Sequence, residues 1–122
     1  MLLIKTSVKL SPIHGLGLFT VERIRRGQAI WVFDAHVDSK ISANDFEKST
    51  ESRRATVSHF AHQNPNKQWL LCGDGALFIN HSDAPNGEFI FGDADYPQAR
   101  DGVVRAREDI AAGGEITLHY LS

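Results

Sequence analysis

Residues 76–87 read Ala76-Leu77-Phe78-Ile79-Asn80-His81-Ser82-Asp83-Ala84-Pro85-Asn86-Gly87. The apolar run Ala76–Ile79 predicts a strand that stops at Asn80, and Glu88–Phe91 predicts the next. Between them stand eight polar or turn-forming residues. Asn86-Gly87 alone signals a hairpin, and a two-residue hairpin does not need Asn80-His81 in front of it. An amide and an imidazole side by side offer several donors and acceptors at a strand end, where ligand sites tend to lie. On spacing alone a structured turn and a ligand site both stay open.

Strand signals continue on both sides. Leu2–Lys5, Leu16–Val21, Ala29–Phe33, Gln68–Cys72, Val103–Arg107 and Glu115–Tyr120 are short apolar runs. Most are flanked by glycine, proline or asparagine turns. Val103–Arg107 alternates, with Val104 and Ala106 on the face opposite Val103, Arg105 and Arg107. One helical region is predicted over about 42–62, with Ser42 followed by Asp45 as its N-cap signature. His62-Gln63-Asn64-Pro65 ends it. Many short strands with little helix predict a mostly β (α+β) class. The absence of regular strand–helix alternation argues against a doubly wound parallel sheet.

The 122 residues suit one domain, 1–122, with 42% apolar and 23% charged residues. No apolar run approaches the span of a bilayer, and the opening MLLIKTSVKLSP is too short and too early in its lysines for a secretory signal. The single cysteine, Cys72, forms no internal disulfide and builds no Cys-rich zinc cluster. An intracellular, reducing compartment, cytoplasmic or nuclear, is the expectation. The net charge of −2 argues against direct nucleic-acid binding. Charge is uneven: residues 1–30 carry +4 and residues 31–122 carry −6. Asp83, Glu88, Asp93, Asp95 and Asp101 face only Arg100 within 83–101, which predicts an acidic mouth attractive to a basic partner.

His14-Gly15-Leu16-Gly17 allows close backbone approach to a ligand. Thr20 stands where a dinucleotide fingerprint needs its third glycine, and a strand follows instead of a helix. Six histidines (14, 36, 59, 62, 81 and 119) raise a metal question. His59, His62 and His81 are the candidate ligands of an alternative, metalloenzyme reading, although nothing fixes a third ligand and the expected metal set is none. Arg53-Arg54 reads as a solvated face, and Trp31, Phe33 and Trp69 as core.

In this order and spacing the pieces resemble the SET domain of protein lysine methyltransferases. Ser11 to Thr20, with Ile24-Arg25-Arg26-Gly27-Gln28-Ala29-Ile30, is similar to the family's first motif and its "I-x-x-G-x-x-I" segment. Ala76–Ser82 with Pro85-Asn86 resembles "R-F-I-N-H-S-C-x-P-N". Val104–Ile110 with Gly114-Glu115-Ile116-Thr117-Leu118-His119-Tyr120 resembles "A-x-x-D-I-x-x-G-E-E-L-T-Y-D-Y". The likeness covers about residues 5–120.

The resemblance implies an assembly of small β-sheets with a C-terminal pseudoknot, the tail passing the Asn-His-Ser segment. It implies S-adenosylmethionine as methyl donor, bound by His14, Leu16, Gly17, Asn80 and His81. Tyr120 would be the catalytic residue, and Leu118 would line the substrate channel. The acceptor would be a lysine of a basic protein or peptide, with no membrane partner. Small stand-alone relatives also imply a homodimer. Leu77 stands where the family often has arginine, Asp83 where it has cysteine, and Leu118-His119 where it has an aromatic and an acidic residue. The chain stops at Ser122, without the Cys-rich segment that completes the site in many relatives. A site that is open, or closed by a second subunit or the substrate, is therefore expected. The alternative is a catalytically weak or inactive SET-like protein-binding module.

Overall fold

Short strands cannot bury a core by themselves, so this chain assembles four small sheets around one. The computed structural model describes residues 1–120. Strands β1 (Thr6–Leu10) and β2 (Leu16–Thr20) form an antiparallel hairpin that pairs Thr6 with Thr20 and Leu10 with Leu16. Strand β3 (Ala29–Val32), strand β8 (Gly87–Ile90) and strand β9 (Val103–Ala106) make an antiparallel sheet with β9 in the middle. A third sheet contains β4 (Ser39–Ile41), β5 (His62–Gln63) and a central β6 (Trp69–Leu71). The fourth is the shortest and the only parallel one among the described residues: β7 (Asn80–His81) beside β10 (Thr117–Leu118).

The core lies where these sheets meet. Leu18, Ile24, Ile30, Trp31, Ile79, Val104, Ile116 and Leu118 are buried in one cluster. The alternation read in β9 holds: Val104 and Ala106 join that cluster, while Val103 packs on the other side with Val32 and Ala99. The C-terminal segment is stitched in from both sides. The Ile116 N–H donates to Leu18 O at 2.8 Å, and the Ser82 N–H donates to Leu118 O at 2.9 Å.

Three expectations are corrected. Ala76–Ile79 is not a strand: Gly75–Phe78 is a turn of 3₁₀-helix. Its cause is Asp74, whose side chain accepts from the Ala76 N–H at 3.1 Å, competing with any extended path. Leu2–Lys5 contributes only a bridge from Leu2 to Trp31, and the ladder begins at Thr6, where β2 offers partners. The single helical region is two helices, α1 (Ala43–Glu47) and α2 (Glu51–Phe60). Ser42 caps the first as expected, its hydroxyl accepting from the Asp45 N–H. Thr50 caps the second by accepting from the Arg53 N–H at 3.2 Å, and that second cap splits the region.

Candidate functional site

The Asn80-His81 pair is placed by its parallel pairing with Thr117-Leu118. The Asn80 amide Nδ2 donates toward His14 O at 3.1 Å, Leu16 O at 3.0 Å and the Glu115 carboxylate at 3.0 Å. One short side chain thus holds the 14–16 loop against the C-terminal segment. Glu115 is tied down from the other direction by the Ser11 hydroxyl, 2.8 and 2.9 Å from its two oxygens. A Cβ on Gly17 would stand 2.5 Å from Glu115 Oε2, so the glycine makes room for this carboxylate.

His81 Nδ1 accepts the backbone N–H of Tyr120 at 3.0 Å. A neutral imidazole that accepts at Nδ1 carries its proton on Nε2, and Nε2 lies 3.0 Å from Asp83 Oδ1, which accepts it. The pair thereby orients the ring and pins the last described residue. Asn86, read as half of a hairpin turn, does something else. Its amide donates to Glu115 O at 2.7 Å while its Oδ1 accepts the Thr117 N–H at 2.9 Å. β8 pairs with β9, so no hairpin joins residues 76–79 to 88–91.

Two spaces meet at Tyr120. A cleft of about 400 Å³ is lined by the loop of Ile13–Leu16, by His59, and by Leu77–His81. An apolar cavity of about 30 Å³ lies among Trp31, His62, Phe89, Val104 and Leu118. Phe60, Ile79 and Tyr120 border both. Burial pushes the Tyr120 phenol up to about 12, with the neighbouring Cys72 adding to the shift. At neutral pH the hydroxyl therefore keeps its proton. The Cys72 thiol is likewise pushed up to about 12, by burial and then by Asp38 and Asp74. Such a thiol is a packing group rather than a nucleophile.

The expected site residues are distributed as follows. His14, Leu16, Asn80 and His81 line the cleft, Leu118 lines the apolar cavity, and Tyr120 touches both. Gly17 lies behind the cleft wall against Glu115 and Ser11. Sequence reading missed Phe60 and Ile79 in the shared wall, and Glu115 and Asn86 as its supports. Glu115 and Asn86 were visible only as motif letters without partners. Within the acidic stretch, Arg105 pairs with Asp93 and Asp95 at 2.6 and 2.9 Å, and Lys40 with Asp101 at 3.1 Å. These two cations offset part of the acidic charge, while Asp95 stays largely exposed. His59, His62 and His81 do not converge. Among the described residues the only cluster of metal-ligating atoms is His81, Asp83 and His119. A cation on His81 Nε2 would displace the proton that the Tyr120 contact at Nδ1 requires there. Among the described residues, no helix is long and apolar enough to cross a membrane.

Comparison with known proteins follows the same lines. The family model described as SET domain matches residues 15–121. Over 114 residues, 93% of this chain, the sequence is 32% identical to a Plasmodium falciparum (isolate 3D7) protein named "Putative histone-lysine N-methyltransferase 1". The matched stretch is 2% of that protein's length. A crystal structure of a Plasmodium falciparum "putative histone methyltransferase" superposes with a TM-score of 0.68 at 23% identity, covering 96% of this chain and 93% of that one. A humanized mutant of the Chaetomium thermophilum Polycomb Repressive Complex 2, bound to an inhibitor, superposes with a TM-score of 0.69 at 21% identity. It covers 97% of this chain and 15% of that one. These structural likenesses concern the fold, which is the mostly β class expected from the sequence.

Proposed function

The chain belongs to the SET-domain family, and from that premise we propose that it is an S-adenosylmethionine-dependent protein-lysine N-methyltransferase, one domain over 1–122 with Tyr120 as its catalytic residue. The observation that carries the reading is the shared wall: a cleft of mixed polar and apolar lining and an apolar cavity approach each other across Phe60, Ile79 and the Tyr120 ring. A methyl donor and a lysine must meet end to end from opposite sides, and this wall offers that meeting point.

The cleft suits S-adenosylmethionine in size and chemistry. Its roughly 400 Å³ falls in the usual range for ligand pockets, about 300–1,000 Å³. It mixes the main chain of residues 13–16 and the Asn80 and His81 side chains with the apolar faces of Leu77 and Phe78. His14, Leu16, Asn80 and His81 would hold the cofactor, with Gly17 setting the loop behind them. The cofactor supplies an already activated methyl group, so the protein's part is alignment and desolvation.

A lysine reaches nucleophilic form only after losing a proton, which from a reference pKa near 10.4 costs about 4.6 kcal/mol at pH 7. The apolar walls of Trp31, Phe89 and Leu118 penalise the charged ammonium and so reduce that cost. Tyr120, protonated at neutral pH, presents a neutral hydroxyl between amine and cleft. That group orients the amine without adding a charge. A basic, lysine-bearing protein such as a histone is the proposed substrate class, supported by the relative named "Putative histone-lysine N-methyltransferase 1".

The test is incubation of the protein with isotopically labelled S-adenosylmethionine and core histones, followed by mass spectrometry. Label on lysine side chains is the expected result. Cofactor binding by calorimetry without any labelled lysine would replace this reading with that of a non-catalytic binding module.

A further inference from the structure

The apolar cavity contains one histidine. His62 leaves the end of α2 into β5, and its ring lies flat on Phe89 with centroids 4.2 Å apart and planes 8° apart. It stands edge-on to the Tyr120 ring at 6.3 Å. The stack and the edge contact fix the ring plane, so the nitrogens cannot swing out to solvent without losing both. Yet His62 Nδ1 is buried with no hydrogen-bond partner. Buried polar atoms are nearly always paired, and one left unpaired costs stability. Phenylalanine would fill the same space without that cost. Burial lowers the His62 pKa from 6.5 to about 4, so the ring is neutral at physiological pH and one of its nitrogens is a bare acceptor.

We propose that His62 binds the acceptor lysine: its neutral imidazole accepts a hydrogen bond from the side-chain amine inside the apolar channel and turns the amine's lone pair toward the Tyr120 wall. The assignment rests on the methyltransferase reading above. Geometry favours this role over others. The other groups lining the cavity are apolar side chains, apart from the Tyr120 phenol, the weakly polar Cys72 thiol and the Trp31 indole. The indole nitrogen is itself buried without an acceptor, and as a donor only it offers an amine nothing to donate to. His62 is also too weak a base to carry the lysine's proton. Its pKa lies about six units below that of a lysine, so the proton leaves to water and His62 orients what remains.

The experiment compares wild type, His62→Phe and His62→Gln. His62→Phe keeps the stack on Phe89 and removes both nitrogens; His62→Gln restores an acceptor. Thermal unfolding of His62→Phe is expected at or above the wild-type midpoint, because an unpaired polar atom is gone. With core histones as substrate, kcat is expected to fall about tenfold while KM stays within about twofold, and His62→Gln is expected to recover part of the loss. Independently of turnover, titrating the full chain with n-butylamine near pH 9 should shift the His62 ring ¹⁵N resonances of the wild type. A folded His62→Phe with wild-type kcat, or an absent ¹⁵N shift, overturns the assignment. A wild type that transfers no methyl group overturns the function reading instead, and the butylamine titration then decides the role of His62 by itself.

Discussion

Asn80 and Tyr120 both line the cleft, Asn80 from its loop side and Tyr120 at the wall it shares with the apolar cavity. Asn80 directs its amide toward two carbonyls of the 14–16 loop and Glu115, so it shapes the cleft wall. Asn80→Ala removes the amide that joins the 14–16 loop to Glu115 and is expected to weaken S-adenosylmethionine binding at least about tenfold by calorimetry, with about 1 kcal/mol of stability lost. Equal affinity would remove Asn80 from the site. The Tyr120 hydroxyl makes no hydrogen bond to protein among the described residues, so Tyr120→Phe should leave the unfolding midpoint unchanged. The turnover number should fall about 10²–10³-fold while cofactor affinity holds; undiminished turnover would exclude the hydroxyl from the chemistry. Both residues were legible as motif letters. Phe60 and His62 were not: a residue near a helix end and a histidine read as a helix stop or a metal ligand carry no pattern that says which cavity they border.

At the scale of elements, the decisive piece is the two-residue ladder of β7 and β10. Gly87 sits against it. A Cβ there would meet Thr117 O at 2.9 Å and Leu118 Cδ2 at 3.1 Å, so the backbones cross too closely for any side chain. Gly87→Ala is expected to cost about 1–3 kcal/mol in urea unfolding and to depress activity with it, by pushing Thr117-Leu118 away from Asn80-His81. A neutral substitution would show that this crossing is slack. The same crossing explains what local pattern could not supply. Strand propensity correctly marked β2, β3, β6, β8 and β9, whose partners provide full ladders. It failed at Ala76–Ile79, where Asp74 captures the Ala76 N–H, and it read Asn86-Gly87 as a turn because the true partners, Glu115 and Thr117, lie 29 and 31 residues away.

For the whole molecule, a neutral histidine next to the core makes stability depend on pH. The folded pKa of His62, about 4, lies below its unfolded 6.5, so between these values the unfolded chain binds more protons. Stability should fall as pH drops from about 6.5 to about 4, by up to about 3 kcal/mol, and His62 contributes no further slope below that. Urea midpoints at pH 7 and pH 5 check this, and His62→Phe should flatten the difference; an equal difference in both proteins would place the titration elsewhere. The charge asymmetry read in the sequence is real, and the fold offsets part of it by setting Arg105 between Asp93 and Asp95 and Lys40 beside Asp101. Composition counts charges without knowing their partners. The central claim is geometric, that donor and acceptor meet across Tyr120. Its most direct test is a crystal structure with S-adenosylhomocysteine and a lysine peptide. The account predicts the thioether sulfur in the cleft beside Asn80 and His81 and the lysine side chain in the cavity beside His62 and Leu118, with both ends against the Tyr120 ring. A lysine bound on the cleft side, or anywhere outside that cavity, would contradict it.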